Sequence, residues 1–443
     1  MEEKNIFMSD SISKSYLRLA LPVVMSIVVT LIYNLADTFF VARTGCTALV
    51  AGVSLGAPVF TFLMAVGNVL GQGGSVLISR LLGQNDRAEI GRTSSFCFYI
   101  TIATGIIIAS LMLLFRVPIL YLLGADDETF VYASDYFVPL ALGAPFVMLS
   151  FIHSNILRSE GMSKESMIGT VTGALVNIIL DPVLISGVGM GASGAAIATV
   201  IGYISADLIY LFFVLRRSQV LSVSVRNARV NMKTLMQILG IGIPAALANL
   251  MQSFTAVMMN QYLLPYGNDK IAAMGIVLKV SMIALLILTG FAFGGQPLFG
   301  YYFGLDDRAR LSRLFRFMFI FILSVAIVLT LLIVILAPVL IEVFMDDEMI
   351  IRDGSLMLRL QVITMPLVGI ILLLTIIFQA AGEVTGSFIL SIGRQGVIFL
   401  IVLLLLNCLT GYTGVISAQA VSDVITALLA FLLFHIRLRS RMR

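Results

Sequence analysis

Long apolar stretches alternate with short polar segments along the whole chain of 443 residues. About 20 apolar residues, each rising 1.5 Å along a helix, cross the hydrocarbon core of a bilayer. The pattern predicts twelve such helices, at residues 16–43, 50–79, 93–117, 130–158, 166–186, 192–215, 234–264, 271–302, 314–341, 354–380, 386–409 and 412–436. We therefore expect an all-α integral membrane protein.

The composition agrees with a membrane protein and argues against several other classes. Hydrophobic residues make up 59% of the chain and charged residues only 12%, and a net charge of +4 does not indicate nucleic-acid binding. The three cysteines lie far apart and favour neither a disulfide framework nor a metal site. With two histidines and no GxxxxGK[ST] or HExxH motif, we expect no enzyme active site, no cofactor and no ATP-driven step.

Basic residues are distributed unevenly between the predicted connections. With the N-terminus in the cytoplasm, most of the 28 Lys and Arg residues, Arg394 among them, fall on the inner side. The outer side keeps only Arg43, Arg116, Lys270, Arg352 and Arg359. Because cytoplasmic loops are enriched in Lys and Arg, we expect both termini in the cytoplasm and the protein in the cell (inner) membrane. No small-residue cleavage site follows the first helix, so we expect it to be retained.

The two halves of the chain resemble one another. The segment PILYLLGADDE at 118–128 aligns with PVLIEVFMDDE at 338–348, and LLGQNDRAE at 81–89 aligns with YFGLDDRAR at 302–310. The same separation of about 220 residues joins the pairs Pro22 and Pro244, Pro145 and Pro366, Gly161 and Gly382, and Gly191 and Gly411. This predicts two pseudo-twofold-related six-helix bundles, an arrangement typical of alternating-access transporters. The expected divisions are an N-terminal lobe at 1–217, a cytoplasmic connection at 218–233 and a C-terminal lobe at 234–443.

Four stretches together resemble a known family of transporters. They are LPVVMSIVVTLIYNLADTFFVARTG in the first helix, LLGQNDRAE after the second, ILRSEG after the fourth and NIILDP in the fifth. The chain thus resembles the multidrug and toxic compound extrusion (MATE) transporters of bacteria and archaea, in the MOP flippase superfamily, over essentially its whole length. The resemblance implies a V-shaped pair of bundles that exports organic, often cationic, compounds in exchange for protons or sodium ions.

Two carboxylates, Asp37 and Asp181, lie at matched depth in the predicted membrane. Counted at 1.5 Å per residue from the outer helix ends, they lie about 9 and 8 Å deep. The polar companions expected at this level are Tyr33, Tyr136, Asn177 and Thr199, and the MATE resemblance implies Asn155 as a further member of the group. An isolated Asn or Thr in a membrane helix is more often a hydrogen-bonding link between helices. Two buried acids are too costly for that role alone, so we expect the pair to hold a proton or a cation.

The MATE resemblance gives these residues roles in ion coupling. It implies that Asp37, Asn177, Asp181 and Thr199 form the polar cluster of the N-terminal lobe, with Tyr33 and Tyr136 around it. Na⁺ bound by these four residues and protons on the two acids are the alternatives that remain open. We expect loading of this cluster to change the packing of the first helix, which Pro22 permits to bend.

The C-terminal lobe lacks an equivalent acidic pair, because the repeat places Met259 opposite Asp37 and Val402 near Asp181. Lys279 and Asp423 have similar depths near the midplane, so we expect a structural ion pair between them, with substrate contact as the alternative.

Two polar residues lie in the inner half of the N-terminal lobe. For Asp207, beyond Thr199 on the sixth helix, a structural hydrogen bond and an intracellular proton path are both open. For His153, low on the fourth helix, we expect a structural hydrogen bond.

A chamber for substrates is expected between the lobes. Its expected polar and adaptable residues are Asn68, Gln72, Asn249, Gln252, Met258, Met259 and Gln379. Methionine surfaces adapt to varied ligands, although a Met stripe in a membrane helix more often faces lipid or the core. Small residues in GQGGS, at 71–75, are expected to allow close helix packing.

The resulting hypothesis is secondary active multidrug export by antiport of H⁺, Na⁺ or both. The partners expected are small organic substrates and the lipid bilayer, with the protein working as a monomer. The alternatives are a lipid-linked polysaccharide flippase, for which more deep cations than Lys279 are expected, and a dedicated metabolite exporter. Dense Gly and Pro residues and unequal lobes disfavour a channel.

Overall fold

A computed structural model describes residues 6–442, and all regular secondary structure in that part of the chain is helical. Eleven apolar helical segments there are long enough to cross a membrane, and a bent helix pair makes a twelfth. We number these spans in chain order. They are span 1 Ile12–Ala42, span 2 Thr47–Gly83, span 3 Arg87–Leu114, span 4 Phe130–Leu142 with Ala144–Ser159, span 5 Ser163–Gly187, span 6 Gly191–Arg216, span 7 Met232–Tyr266, span 8 Asn268–Leu305, span 9 Arg308–Glu342, span 10 Glu348–Ala381, span 11 Val384–Thr410 and span 12 Tyr412–Arg437.

Several spans contain internal breaks. Span 4 bends by 54° between its two helices. Pro145 lies in the first turn of the second helix, and a proline cannot donate the backbone hydrogen bond that would continue the first one. Gly143 supplies the room at the bend, since a Cβ there would lie 2.2 Å from a methyl carbon of Val200 in span 6. The bend therefore packs directly against span 6.

Spans 5 and 11 each contain one π-helical turn. In span 5 the α-helix Ser163–Pro182 continues as the π-turn Val183–Gly187, directly after the proline. In span 11 the π-turn Gly393–Val397 lies between two α-helices, Val384–Ile392 and Ile398–Thr410. Such π-turns occur frequently at functional sites, because they redirect the side chains that follow.

The two repeats begin their third helices in the same way. Asn85 and Asp306 have left-handed backbone conformations, with φ of 59° and 54°. Each is followed by an aspartate that caps the next helix: Asp86 Oδ1 accepts from Glu89 N at 3.1 Å, and Asp307 Oδ1 accepts from the equivalent amide at 2.9 Å. Asn and Asp tolerate the left-handed region better than most residues. The aligned segments LLGQNDRAE and YFGLDDRAR therefore share one local structure.

The described residues divide into two compact units whose boundaries lie inside helices. Unit 1 contains residues 6–7 and Met25–Gly242, and unit 2 contains Met8–Val24 and the chain from Ile243 onwards. Span 1 thus changes unit just after Pro22, and span 7 changes unit just before Pro244. These boundaries differ from the expected ones at 217 and 234, because the initial segment of span 1 falls in unit 2 and the initial segment of span 7 falls in unit 1.

Glycines allow close helix contacts within unit 1. A Cβ on Gly73 of span 2 would lie 2.1 Å from the carbonyl oxygen of Ile238, and a Cβ on Gly242 would lie 1.8 Å from that of Val69. Spans 2 and 7 therefore meet backbone to backbone at two places. The expectation that the small residues of GQGGS serve close packing is confirmed.

Candidate functional site

Asp181 lies in the last turn of the α-helical part of span 5, and its side chain is fully buried. Asn177, one turn earlier, donates from Nδ2 to Asp181 Oδ1 at 3.3 Å. The other carboxylate oxygen of Asp181, Oδ2, has no hydrogen-bond donor among the described residues. One half of this carboxylate is thus held by a neighbouring amide, and the other half is open to a further ligand.

Thr199 of span 6 lies on the opposite side of the same amide. Asn177 Nδ2 also reaches Thr199 Oγ1 at 3.4 Å, while Asn177 Oδ1 is buried without a donor in the described part of the chain. Two glycines let spans 5 and 6 approach this closely. A Cβ on Gly173 would lie 2.7 Å from the carbonyl oxygen of Gly202, and the reverse distance is 2.8 Å. The small residues of the two spans therefore position the Asn177–Thr199 contact.

Asp37 of span 1 contributes a second carboxylate to this region. Its side chain is half-buried, and its Oδ1 atom is buried without a donor among residues 6–442. The charges of Asp37 and Asp181 act on each other and on the hydroxyl of Tyr33. The Tyr33 hydroxyl in turn lies 3.2 Å from the hydroxyl of Tyr203 on span 6. Spans 1, 5 and 6 thus bring two acids, an amide and three hydroxyls together.

Tyr136, in the first helix of span 4, completes the cluster from another side. Both acids act electrostatically on its hydroxyl. Its buried ring packs against span 2, where a Cβ on Gly56 would lie 2.3 Å from the ring carbon Cε1. A side chain at position 56 would displace the ring, so this glycine sets the position of Tyr136.

Asn155 lies in a different polar contact of unit 1. Its Nδ2 donates to the carbonyl oxygen of Phe151 at 2.7 Å and reaches Asn68 Oδ1 of span 2 at 3.5 Å. Asn155, predicted for ion coupling, is therefore paired with a residue predicted for the substrate chamber. Gln72, one turn beyond Asn68, keeps a buried Oε1 atom without a donor among the described residues.

The predicted ion pair between Lys279 and Asp423 is wrong. Asp423 Oδ1 accepts from Arg394 Nε at 2.9 Å, and the side chains of Asp423 and Arg394 are 1% and 14% exposed. Gln419 Nε2 donates to the same oxygen at 3.0 Å, and Thr364 Oγ1 donates to Oδ2 at 2.9 Å. Lys279 is exposed and makes no ion pair with any residue of the described range.

The position of Arg394 explains this error. The distribution of basic residues assigned it to the cytoplasmic side, but it lies on the π-turn Gly393–Val397 inside span 11. Ser422 of span 12 also donates to its backbone carbonyl oxygen at 3.0 Å. Unit 2 therefore contains an ion pair between Arg394 and the buried Asp423 where the sequence predicted a different partner.

The residues predicted for a substrate chamber differ in exposure. Gln252 is exposed, and Asn249 and Met258 are half-exposed. Met259 is only 1% exposed, and Gln379 is buried with its Oε1 accepting from Gln296 Nε2 at 2.9 Å. The prediction that Met259 and Gln379 face an open chamber does not agree with this structure, because both side chains are buried.

Tyr203 was not predicted as a member of the site, but its hydroxyl bonds to that of Tyr33. His153, for which a structural hydrogen bond was expected, lies against Asp207, with 3.5 Å between Nδ1 and Oδ1. The available signal was the four-residue spacing of Thr199, Tyr203 and Asp207 on span 6, which puts all three on one helix face. In the described chain, no group of three His, Cys, Asp or Glu side chains could hold a transition metal.

The amino-acid sequence matches the MatE family model twice, at residues 22–183 and 244–405. The chain belongs to the MATE family. One match falls in each half, so the predicted internal repeat and the predicted family are both confirmed. As a MATE protein the chain is a multi-pass membrane transporter and not an enzyme, as the sequence analysis expected.

Curated relatives align with this MATE protein along its whole length. Multidrug export protein MepA of Staphylococcus saprophyticus subsp. saprophyticus is 32% identical over 441 residues, which are 100% of this chain and 97% of the relative. The protein of the same name from Staphylococcus aureus (strain MRSA252) is 33% identical over the same shares.

Solved structures share its fold. A crystal structure of a MATE in the bent conformation superposes with a TM-score of 0.93 at 24% identity, covering 100% of this chain and 98% of the other. The outward-facing conformation of a multidrug resistance MATE family transporter of the MOP superfamily gives a TM-score of 0.92 at 23% identity, covering 100% and 99%. The predicted all-α membrane fold of MATE type is confirmed.

Proposed function

We propose that this MATE protein is a secondary active exporter that exchanges H⁺ or Na⁺ for organic, often cationic, compounds. One observation carries the proposal: Asp37 Oδ1, Asp181 Oδ2 and Asn177 Oδ1 are three buried acceptor atoms without a donor among the described residues. A buried polar atom without a partner costs free energy, and nearly all such atoms in folded proteins are paired. Protons on the acids, or one cation between them, would satisfy these oxygens.

The ligand types fit either coupling ion. Hard cations prefer oxygen ligands, and the cluster offers carboxylate, amide and hydroxyl oxygens from Asp37, Asp181, Asn177 and Thr199. Two neighbouring acids in a low-dielectric site also share protons readily. Na⁺ would thus use all four side chains, and protons would use the two acids, Asp37 and Asp181.

The transport cycle follows from loading and unloading of this cluster. A cation entering from outside neutralises Asp37 and Asp181 and changes the packing of span 1, which Pro22 allows to bend. The substrate site then becomes accessible from the two sides of the membrane in turn. The substrate leaves outward as the cation is carried inward. The protein works as a monomer in the cell (inner) membrane with both termini in the cytoplasm, in line with the distribution of basic residues.

The breadth of substrates is part of the proposal. The curated relatives are named multidrug export proteins, which supports several organic substrates for this chain. Gln252, Asn249 and Met258 keep exposed surface for contacts with varied ligands. The buried Arg394 is neutralised by Asp423, so it does not supply the free deep cation expected of a pyrophosphate-lipid flippase.

Ethidium accumulation in inverted membrane vesicles tests this function, with a pH gradient and a Na⁺ gradient supplied separately. Wild-type protein should accumulate ethidium under at least one gradient, and Asp181→Asn should abolish that gradient's effect. Asp135→Asn, which removes an exposed carboxylate in span 4 of the same unit, should retain it. Accumulation by Asp181→Asn at the wild-type rate would contradict the assignment.

A further inference from the structure

A buried acid–base pair lies inward of the coupling cluster and has no role in it. His153 of span 4 and Asp207 of span 6 are 3% and 6% exposed, with 3.5 Å between His153 Nδ1 and Asp207 Oδ1. The remaining polar atom of each, His153 Nε2 and Asp207 Oδ2, is buried without a partner among residues 6–442. Nearly all buried polar atoms in folded proteins are hydrogen-bonded. If the pair only held two helices together, His153 Nε2 and Asp207 Oδ2 should therefore have partners as well.

Polar groups on one face of span 6 connect this pair to the coupling cluster. Thr199, Tyr203 and Asp207 are four residues apart, so their side chains follow one another along the helix, with a rise of about 6 Å from each to the next. Thr199 contacts the amide of Asn177, and the Tyr203 hydroxyl lies 3.2 Å from that of Tyr33. The charge of Asp207 also acts on Tyr203. Hydroxyl and carboxyl groups therefore continue from the cluster to Asp207.

A small cavity lies beside His153. His153, Ser94, Phe98, Val214 and Val223 are among its lining residues, and it has room for about one water molecule. This cavity is where a water could meet the ring of His153.

The chain segment after span 6 closes the cavity. The hydroxyls of Ser94 and Ser95 donate to the carbonyl oxygen of Ser222 at 3.0 and 2.9 Å, and the Tyr99 hydroxyl donates to that of Val223 at 2.9 Å. Ser222 and Val223 belong to the connection at 218–233, which is expected on the cytoplasmic side. The cavity thus lies between His153 and that connection.

Other titratable or charged groups near the pair do not replace its partners. Tyr203 and Tyr210 on span 6 and Arg158 on span 4 lie close by, and Cys97 and Tyr99 flank Phe98 of span 3, whose ring lies 5.4 Å from that of His153. The Tyr210 hydroxyl is bonded to Thr170 of span 5 at 2.8 Å, and Cys97 Sγ donates to the carbonyl oxygen of Leu70. Arg158 donates to Ser166 at 3.2 Å. Each of these groups has its own partner.

We propose that His153 and Asp207 form the cytoplasmic half of a proton route through unit 1. A proton leaving the coupling cluster passes by Tyr203 to Asp207 Oδ2 and then from the Asp207 carboxyl to His153 Nδ1. His153 releases a proton from Nε2 to water in the cavity, so one proton enters and one leaves. The inference rests on the proposed antiport in its proton-coupled form.

Proton release by purified protein in liposomes tests the route. The pH on the cytoplasmic side is varied while the outer pH is held constant, and proton movement driven by a substrate gradient is recorded with a trapped dye. Asp207→Asn and His153→Gln should slow it by about tenfold or more and remove its dependence on cytoplasmic pH. His153→Gln can still hydrogen-bond to Asp207, so a merely structural role predicts near-normal rates for that variant.

Thr101→Val serves as the control, because it alters a buried, non-titratable residue of span 3 in the same unit. It should leave the rate and the pH profile unchanged, and in all variants the dependence on outer pH should persist. Wild-type rates and cytoplasmic pH dependence in both His153→Gln and Asp207→Asn would overturn the route. A wild-type protein that is driven by Na⁺ and moves no protons would also overturn the proton route but leave the proposed antiport standing. A wild-type protein coupled to neither ion would refute both the route and the antiport.

Discussion

The side-chain amide of Asn177 donates to one oxygen of Asp181 at 3.3 Å and leaves the other oxygen of that buried carboxylate without a donor in the described structure. The amide also reaches Thr199 Oγ1, so a single side chain orients two of the proposed ion ligands. Orientation by a neighbouring hydrogen bond is a common way of fixing cation ligands in place.

Asn177→Ala should therefore weaken coupling without removing either acid. Hydrogen bonds to charged groups contribute about 1.5–3 kcal/mol, so the apparent affinity for the coupling ion should fall by about 10–100-fold. The measurement is the ion concentration that gives half-maximal ethidium export. Asn34→Ala, at an exposed position of span 1, is the matched control and should leave that concentration unchanged. Equal values for both variants would remove Asn177 from the coupling site.

Tyr33→Phe and Tyr203→Phe should have equal and non-additive effects. Each removes one member of the 3.2 Å hydroxyl pair, and a neutral hydrogen bond contributes about 0.5–1.5 kcal/mol. Each single variant should thus reduce proton-driven export by about 2–10-fold, and the double variant should be no slower than either. A double variant whose loss is the product of the single losses would show that the two hydroxyls act independently.

Arg394→Gln should destabilise unit 2. Removing one partner of a buried ion pair leaves the other charge uncompensated, which costs about 3–5 kcal/mol of the free energy of unfolding. Thermal or denaturant unfolding in detergent measures this loss.

A surface pair provides the control for that measurement. Arg92→Gln breaks an exposed contact with Glu89 and should change the free energy of unfolding by no more than about 0.5 kcal/mol. Asp423→Leu combined with Arg394→Met should recover part of the loss, because no unpaired charge remains. A stable Arg394→Gln protein would contradict the buried pair.

Gly242→Ala and Gly275→Ala should change stability in opposite directions. A Cβ at position 242 would lie 1.8 Å from the backbone oxygen of Val69, and such overpacking costs about 1–3 kcal/mol. At position 275, inside span 8, no described atom beyond the neighbouring residues and backbone of the same helix lies within 4 Å of the added carbon, and alanine should stabilise the helix by about 0.5–1 kcal/mol. Unfolding measurements in detergent show whether the two substitutions change the free energy of unfolding in opposite directions.

Hydropathy and the repeat predicted most of the architecture. The apolar stretches were long enough to identify the spans. The two halves could be aligned by their glycines, prolines and loop aspartates, and in the structure Asp86 and Asp307 cap equivalent helices. The depth of each acid could be counted along its helix, which brought Asp37 and Asp181 to one level. Tyr203 was visible on the same stripe as Thr199, but its bond to Tyr33 depends on how spans 1 and 6 pack.

Three features depend on packing that a local pattern does not contain. The count of basic residues favoured the cytoplasmic side for Arg394, but its place on the π-turn inside span 11 and its contact with Asp423 of span 12 depend on how the two spans pack. The burial of Met259 and Gln379 depends on neighbours distant in sequence. The exchange of units at Pro22 and Pro244 depends on which helices each inner segment contacts.

Ion movement driven by a substrate gradient alone tests the central claim most directly. Liposomes containing the protein are loaded with substrate and diluted into substrate-free medium at equal pH and equal Na⁺ on both sides. Wild-type protein should then drive H⁺ or Na⁺ against the direction of substrate flow, and Asp37→Asn combined with Asp181→Asn should drive neither. Substrate efflux that moves no ion in the wild type, or an unchanged ion flux in the double variant, would contradict the account.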